Sequence, residues 1–333
     1  MERAIIHSNL KKQEIQPSEM LMEYKSLLSK DIKKLFLAES LQKAFCPVTG
    51  EKDIKKSFSS MGMEYNVSRS MGNIYISPKP TMKSLRTFYL ESEARKFWLR
   101  KLWPETKVIR KEKIIMPQLE WVHGFMNQYF FDKKISIAEF LPNHWGYGLV
   151  SDQEFPNVNY TLVDALFDLS EIDTGIKNME ISESVENNSK DAIFLFEAID
   201  RSPNPAYLLA SVIRALKPGG LCFITCLLSS GFEIQVLGKE SSIFVPPERM
   251  NLLSYEGMLS LIDKTDGLEI LEFSTPGVLD IPNVTKKLEH EKGTSFFNYI
   301  LKEREDSRLI ESFQDFIQFN CLGTFGRLVL KKL

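Results

Sequence analysis

The stretch that decides the fold begins Asp191-Ala192-Ile193-Phe194-Leu195-Phe196-Glu197 and runs on through Ala198-Ile199-Asp200-Arg201-Ser202-Pro203-Asn204-Pro205. After a helical pattern it closes with Lys217-Pro218-Gly219-Gly220-Leu221-Cys222-Phe223-Ile224-Thr225. The apolar run from Ala192 to Phe196 does not alternate with polar residues, as expected of a strand covered on both faces. Pro205 to Leu216 has helical spacing and ends at Lys217–Gly220, a proline-glycine stop signal. Leu221 to Leu227 then reads as a second buried strand.

The same rhythm extends in both directions. Ile135 to Ala138 reads as a strand ending at Glu139, and Asn159 to Val163 as one ending at Asp164. Downstream, Ser254 to Lys264 reads as a helix, Leu268 to Phe273 as a strand and Gly326 to Lys331 as the last strand. Strands alternating with helices imply an α/β fold with a doubly wound, mostly parallel sheet over residues 134–333. A long insertion, 276–320, separates the last two strands. Its helical part places Leu309, Ile310, Phe313, Phe316 and Ile317 on one face, so it is expected to be a lid or an interface.

Before residue 134 the pattern differs. Residues 1–45 form an N-terminal helical segment, with Leu21, Tyr24, Leu27, Leu28, Ile32, Leu35 and Phe36 on one stripe. Residues 46–80 read as a small β-rich module, with turns at Thr49-Gly50 and Met71-Gly72 and alternation through Asn73-Ile74-Tyr75-Ile76. Residues 81–133 read as a helical connector carrying Leu85, Phe88, Tyr89, Phe97, Trp98, Leu102 and Trp103. Its aromatic density is expected to serve packing rather than a ligand.

Composition narrows the function classes. The 42 Lys and Arg nearly cancel the 44 Asp and Glu, and charged residues make up 26% of the chain. That balance argues against binding nucleic acid or an anionic membrane by bulk charge. No apolar run approaches the roughly 20 residues that span a bilayer, and the N-terminus lacks a secretory h-region. The 4 cysteines are too few and too scattered for a disulfide framework, and the expected location is the cytoplasm. Cys222 and Cys226 share a strand face but lie about 13 Å apart, too far to share a metal. His7, His123, His144 and His290 show no ligand spacing.

The stretch from Asp191 to Thr225 resembles the class I S-adenosylmethionine-dependent methyltransferase family, in which a D-x-V strand ends in an acid, a loop ends in D-P and a helix ends in L-K-P-G-G. Ser229, Gly231-Phe232-Glu233, Asn251 to Ser254, Gly267 to Leu271 and Thr275-Pro276-Gly277-Val278-Leu279-Asp280 continue the resemblance. It is similar to the branch with an N-terminal zinc-ribbon-like module, common among sugar and small-metabolite methyltransferases. The resemblance implies a seven-stranded methyltransferase-type sheet, S-adenosylmethionine as cofactor and a small-molecule substrate.

Carried onto this chain, the resemblance places the cofactor at Glu139, Asn143, Gly146, Asp164, Phe196 and Glu197. The glycine-rich turn of the family, D/E-x-G-x-G-x-G, falls on Glu139-Phe140-Leu141-Pro142-Asn143-His144-Trp145, so Leu141, Asn143 and Trp145 stand at the glycine positions. Leucine and tryptophan adopt positive φ rarely, asparagine more readily. Asp164 is the candidate for the ribose hydroxyls. The histidine of the family's E-x-x-x-H loop is Arg201, which stays protonated and so cannot act as a general base. It could instead bind a carboxylate or phosphate, or pair with a surface acid. No other residue stands out as catalytic. The zinc-ligand pattern falls on Cys46, Thr49, Ser68 and Met71, with Gly72 in place. One ligand in four leaves no basis for a structural zinc, and packing is expected to hold the module.

Two functions follow. One is methyl transfer from S-adenosylmethionine to a small metabolite such as a sugar or sugar nucleotide. The other is a catalytically inactive pseudo-methyltransferase that binds or regulates another protein, with the 276–320 insertion as the contact surface. Metal ligands, cofactor glycines and loop histidine are altered together, which favours the second. The retained acids favour the first.

Overall fold

The structure is a computed structural model that describes residues 4–130, 134–142, 158–163, 179–288, 296–304 and 306–333. Its strands in chain order are β1 (Leu41–Gln42), β2 (Ile54–Ser60), β3 (Met63–Ser68), β4 (Ile74–Ile76), β5 (Lys79–Pro80), β6 (Ile135–Phe140) and β7 (Val158–Val163). They continue with β8 (Met179–Ser182), β9 (Lys190–Phe196), β10 (Leu216–Leu227), β11 (Asn251–Leu252), β12 (Leu268–Ser274) and β13 (Phe325–Lys332).

Seven strands make the main sheet, in the order β12-β13-β10-β9-β6-β7-β8. β6, β7, β8, β9 and β10 pair in parallel, while β13 runs antiparallel to both β10 and β12. The chain starts at β6, steps outward through β7 to β8, then returns to β9 and builds outward the other way. The doubly wound, mostly parallel seven-stranded sheet is therefore present, with its order reversing between β6 and β9. At such a switch point the connections leave in opposite directions and open a crevice beyond the carboxyl ends of the strands.

The central strands are apolar throughout because both faces are covered. Ala192, Phe194 and Phe196 of β9 face one layer, where they meet Tyr160, Phe223 and the helix Met116–Tyr129. Ile193 and Leu195 face the other, with Ile224, Leu209, Val212 and Leu261. The helix Pro205–Ala215 is capped by Asn204, whose side chain accepts from the Tyr207 N–H. It ends one residue before the expected Leu216, because Leu216 already pairs with Lys190. The ladder is interrupted at Lys217–Gly220 and resumes at Leu221. A Cβ on Gly220 would stand 2.9 Å from the Lys217 carbonyl, so the interruption requires glycine there.

From Glu93 to Tyr129 the connector is helical without a break, with two wider π turns at Trp98–Leu102 and Lys111–Ile115. Each π turn lies just before a proline, Pro104 and Pro117. Proline has no N–H, and its ring clashes with the carbonyl one turn back, which the wider turn relieves. The buried Asp31 carboxylate accepts from Ser92 Oγ at 2.7 Å and the Ala94 N–H at 2.8 Å, fixing the start of this helix against Ser18–Leu35.

The second sheet runs β11-β4-β3-β2, all antiparallel. β2, β3 and β4 come from the β-rich segment, but β11 comes from beyond β10. Asn73 binds the two parts together. Its Nδ2 donates to Cys46 Sγ at 3.4 Å, and its Oδ1 accepts from the Ser254 N–H at 2.9 Å. A Cβ on Gly257 would lie 2.0 Å from that Oδ1, so the helix Tyr255–Asp263 needs a glycine where it meets the small sheet.

Candidate functional site

The switch crevice is framed by Leu141 after β6 and by Phe196 and Glu197 at the end of β9. Leu141 adopts φ 47, a left-handed conformation that glycine takes far more readily, and its N–H donates to the Val163 carbonyl at 2.9 Å. The turn thus keeps a glycine-like backbone at a leucine whose side chain is buried. Glu197 also has positive φ, 54, with its N–H donating to the Thr225 carbonyl at 2.8 Å.

Arg201 ends the single helical turn Ala198–Arg201 and points back into this crevice. Its Nη2 donates to the Leu141 carbonyl at 2.7 Å and to the Phe196 carbonyl at 3.0 Å, one from each flank of the switch point. Nη1 lies 3.7 Å from Glu197 Oε2. The residue is 2% exposed, so the arginine expected against a surface acid is an interior clamp between two strand ends. Glu197 Oε2 is also 3.0 Å from Arg249 Nη2, and Arg249 Nη1 is 3.7 Å from Asp200. Both Asp200 oxygens accept from the Leu227 N–H, and burial pushes its carboxyl up to about 8 against the pull of Arg249.

Glu139 is 1% exposed, and its Oε2 accepts from the Tyr160 hydroxyl of β7. Oε1 has no hydrogen-bond partner among the described residues. Burial raises its carboxyl to about 7, although Tyr160 and Arg201 both draw it down. Phe196 packs into the aromatic layer, its ring centroid 4.9 Å from that of Phe194. Asn143, Gly146 and Asp164 lie outside the described residues, as do His144 and Trp145.

Beyond Glu197 opens a cavity of about 440 Å³. Its floor is Thr225 and Leu227 of β10 with Phe325 and Arg327 of β13, and Pro276 to Asp280 close one side. The connector helix contributes Trp98, Leu102, Arg110, Ile114, Gln118 and Trp121. Trp121 therefore combines the expected packing, edge-on to Phe223 at 5.5 Å, with a place on the cavity wall. The roof is the N-terminal segment. Ile6 exchanges two hydrogen bonds with Gln318, at 2.7 and 2.9 Å, Glu14 pairs with Lys113 at 2.9 Å, and Arg110 donates to the Ile15 carbonyl.

The sequence reading missed Arg249, Arg110, Gln118 and Lys12. A signal did exist for two of them. Leu102, Arg110, Ile114, Gln118 and Trp121 recur at helical spacing and form one mixed stripe facing the cavity.

In the small sheet, the turns Cys46–Gly50 and Ser68–Gly72 each close with a glycine at positive φ, 69 and 68. The Gly50 N–H donates to the Cys46 carbonyl and the Gly72 N–H to the Ser68 carbonyl. Asn73 bridges the two turns through Cys46 Sγ and Ser68 Oγ, the latter accepting from its backbone N–H. Among the described residues no group of three or more His, Cys, Asp or Glu could hold a metal, and no helix is long and apolar enough to cross a membrane.

No family profile matches the chain, and no curated protein matches it. Solved structures do resemble it. The plantazolicin methyltransferase BpumL, in complex with a pentazolic desmethylPZN analog and SAH, is 12% identical and aligns over 75% of this chain and 98% of its own, with a TM-score of 0.44. Coclaurine N-methyltransferase, bound to N-methylheliamine and SAH, is 13% identical over 65% of this chain and 72% of its own, with a TM-score of 0.40. A complex containing the Haloferax volcanii Trm112 methyltransferase activator is 12% identical over 71% of this chain and 95% of that one, with a TM-score of 0.44. At such values the fold rests on the strand order and register described above.

Proposed function

We propose that this chain is a methyltransferase-fold protein that does not transfer methyl groups and acts as a binding or regulatory partner of another protein. The observation that carries this reading is the clamp of Arg201 on the Leu141 and Phe196 carbonyls. S-adenosylmethionine seated at the switch point would bring a sulfonium and an ammonium against a single carboxylate, a net positive charge. The acceptors it would use are taken, and a fixed cation sits between them. Two like charges about 4 Å apart repel by about 4 kcal/mol at intermediate dielectric, close to a thousandfold in affinity. Of the retained acids, Glu139 is engaged by Tyr160 and Glu197 by Arg249. The competing reading, methyl transfer to a sugar, sugar nucleotide or other small metabolite, draws its support from the cavity beside Glu197.

Calorimetric titration with S-adenosylmethionine and S-adenosylhomocysteine separates the two. The expected result is no binding of S-adenosylmethionine at millimolar concentration. S-adenosylhomocysteine, which lacks the sulfonium, separates charge repulsion from the loss of the two carbonyls. Micromolar binding that weakens in Arg201→Ala would overturn the proposal, because Arg201 would then be reading the donor's carboxylate.

The insertion supports the partner role. Phe296, Tyr299, Phe316 and Phe319 are exposed on it, an unusual density of uncovered aromatic surface. A partner that co-elutes with the chain should be lost when Phe316→Ser and Phe319→Ser are combined. Equal recovery with that double variant would remove the insertion as the contact surface.

A further inference from the structure

The cavity meets the switch crevice at Glu197 and Arg249, but the polar groups of its far wall lie on other elements. Lys12 lies on its wall with Ser242 Oγ at 2.6 Å as acceptor; burial lowers its pKa, Glu233 draws it up, and Lys25 and Lys286 push it down. One helical turn later, the Ile15 carbonyl takes a hydrogen bond from Arg110, whose Nε also donates to Thr106 Oγ1 at 2.9 Å. The acids of the lining are largely committed elsewhere. Glu233 accepts from Ser241 Oγ at 2.6 Å and Asn283 Nδ2 at 2.5 Å, Asp280 from the Glu233 and Thr324 N–H groups, and Glu197 is held by Arg249.

Two helical turns beyond Arg110, Gln118 also lines the cavity. Its Nε2 is buried and has no hydrogen-bond partner among the described residues. A buried donor left unmet is costly and calls for an acceptor. Between these two polar ends, Ile114 and Pro117 form an apolar wall that continues to Trp121.

We propose that the cavity binds an elongated anion, with a carboxylate or phosphate head at Lys12, an apolar body along Ile114 and Pro117, and a hydrogen-bond acceptor at the far end for Gln118 Nε2. The volume of about 440 Å³ falls in the range of small-molecule sites. Burial lowers the Arg110 guanidinium to about 10, which leaves it charged near neutral pH.

The test uses the full chain and calorimetry with four probes below their micellar concentrations: decanoate, 10-hydroxydecanoate, decyl phosphate and decylammonium. Decanoate is expected to bind at least about tenfold tighter than decylammonium, and 10-hydroxydecanoate about fivefold tighter still. Gln118→Leu should remove the increment of the hydroxyl and leave decanoate binding intact. Lys12→Met should weaken every acid about tenfold without lowering the melting temperature. Comparing decanoate with decyl phosphate names the preferred head. Equal binding of decylammonium, no binding of any probe at millimolar concentration, or an unchanged affinity in Lys12→Met would overturn the proposal. Arg201 plays no part in this site, so the result is independent of the methyl-donor titration.

Discussion

Arg201→Ala is expected to lower the unfolding free energy by about 3 kcal/mol, through two buried carbonyls left without their charged donor and an ion pair losing one partner. The guanidinium joins the carbonyls of Leu141 and Phe196, and so ties β6 to β9 beyond the last rungs of their ladder. Without it both carbonyls lose a donor in a place water reaches poorly, and Glu197 loses one of its cations while keeping Arg249. Arg201→Lys should recover less than half of the loss, since one ammonium cannot reproduce the planar fork. Urea unfolding of the three proteins measures this directly. A loss below about 1 kcal/mol for the alanine variant would mean that the arginine is not tied into the crevice, and the argument against a methyl donor would go with it.

The second large effect is one of pH. Glu139 has a folded-state value raised from 4.5 to about 7, chiefly by burial. The folded protein therefore holds this proton where the unfolded chain has released it. The resulting stability is complete below about pH 4.5 and is lost as pH rises through 7, with a full swing of about 3 kcal/mol. Glu139→Gln keeps the shape and an acceptor for Tyr160 but carries no charge at any pH. The variant's stability relative to the parent should accordingly climb by about 3 kcal/mol between pH 4 and pH 8. Taking the difference between the two proteins removes the shared contributions of Asp200 and Asp280, which burial also raises. A flat difference across that range would show that Glu139 is ionised and solvated, and open to a ligand after all.

The sheet was legible because its signals are local. The run Ala192 to Phe196 and the Lys217–Gly220 stop are each readable within a few residues, and the resemblance built on them implied the observed seven-stranded sheet. β8 escaped because four residues, Met179–Ser182, offer too short a pattern to separate from a loop. Proline placed the π turns only in retrospect, since a proline can also end a helix. The site was less legible. Arg201 was singled out as a departure from a histidine, but its direction depends on carbonyls 5 and 60 positions away. Leu141 was judged a poor substitute for glycine on its intrinsic preference. It nonetheless adopts φ 47, because burial and the bond to Val163 outweigh that preference locally. The roof over the cavity joins residues such as Ile6 and Gln318, 312 positions apart, which no periodicity can connect.

The small sheet carries a consequence for synthesis. β4 pairs on one side with β3 and on the other with β11, which the ribosome delivers about 175 residues later. At about 5–20 residues per second, that edge emerges unpaired and waits on the order of 10–30 s for its neighbour. Ile74, Tyr75 and Ile76, all buried in the finished protein, spend that interval as an apolar edge open to any other strand. A nascent chain stalled or truncated before Asn251 thus presents an aggregation-prone ribbon, and the N-terminal third matures only after most of the main sheet has been made.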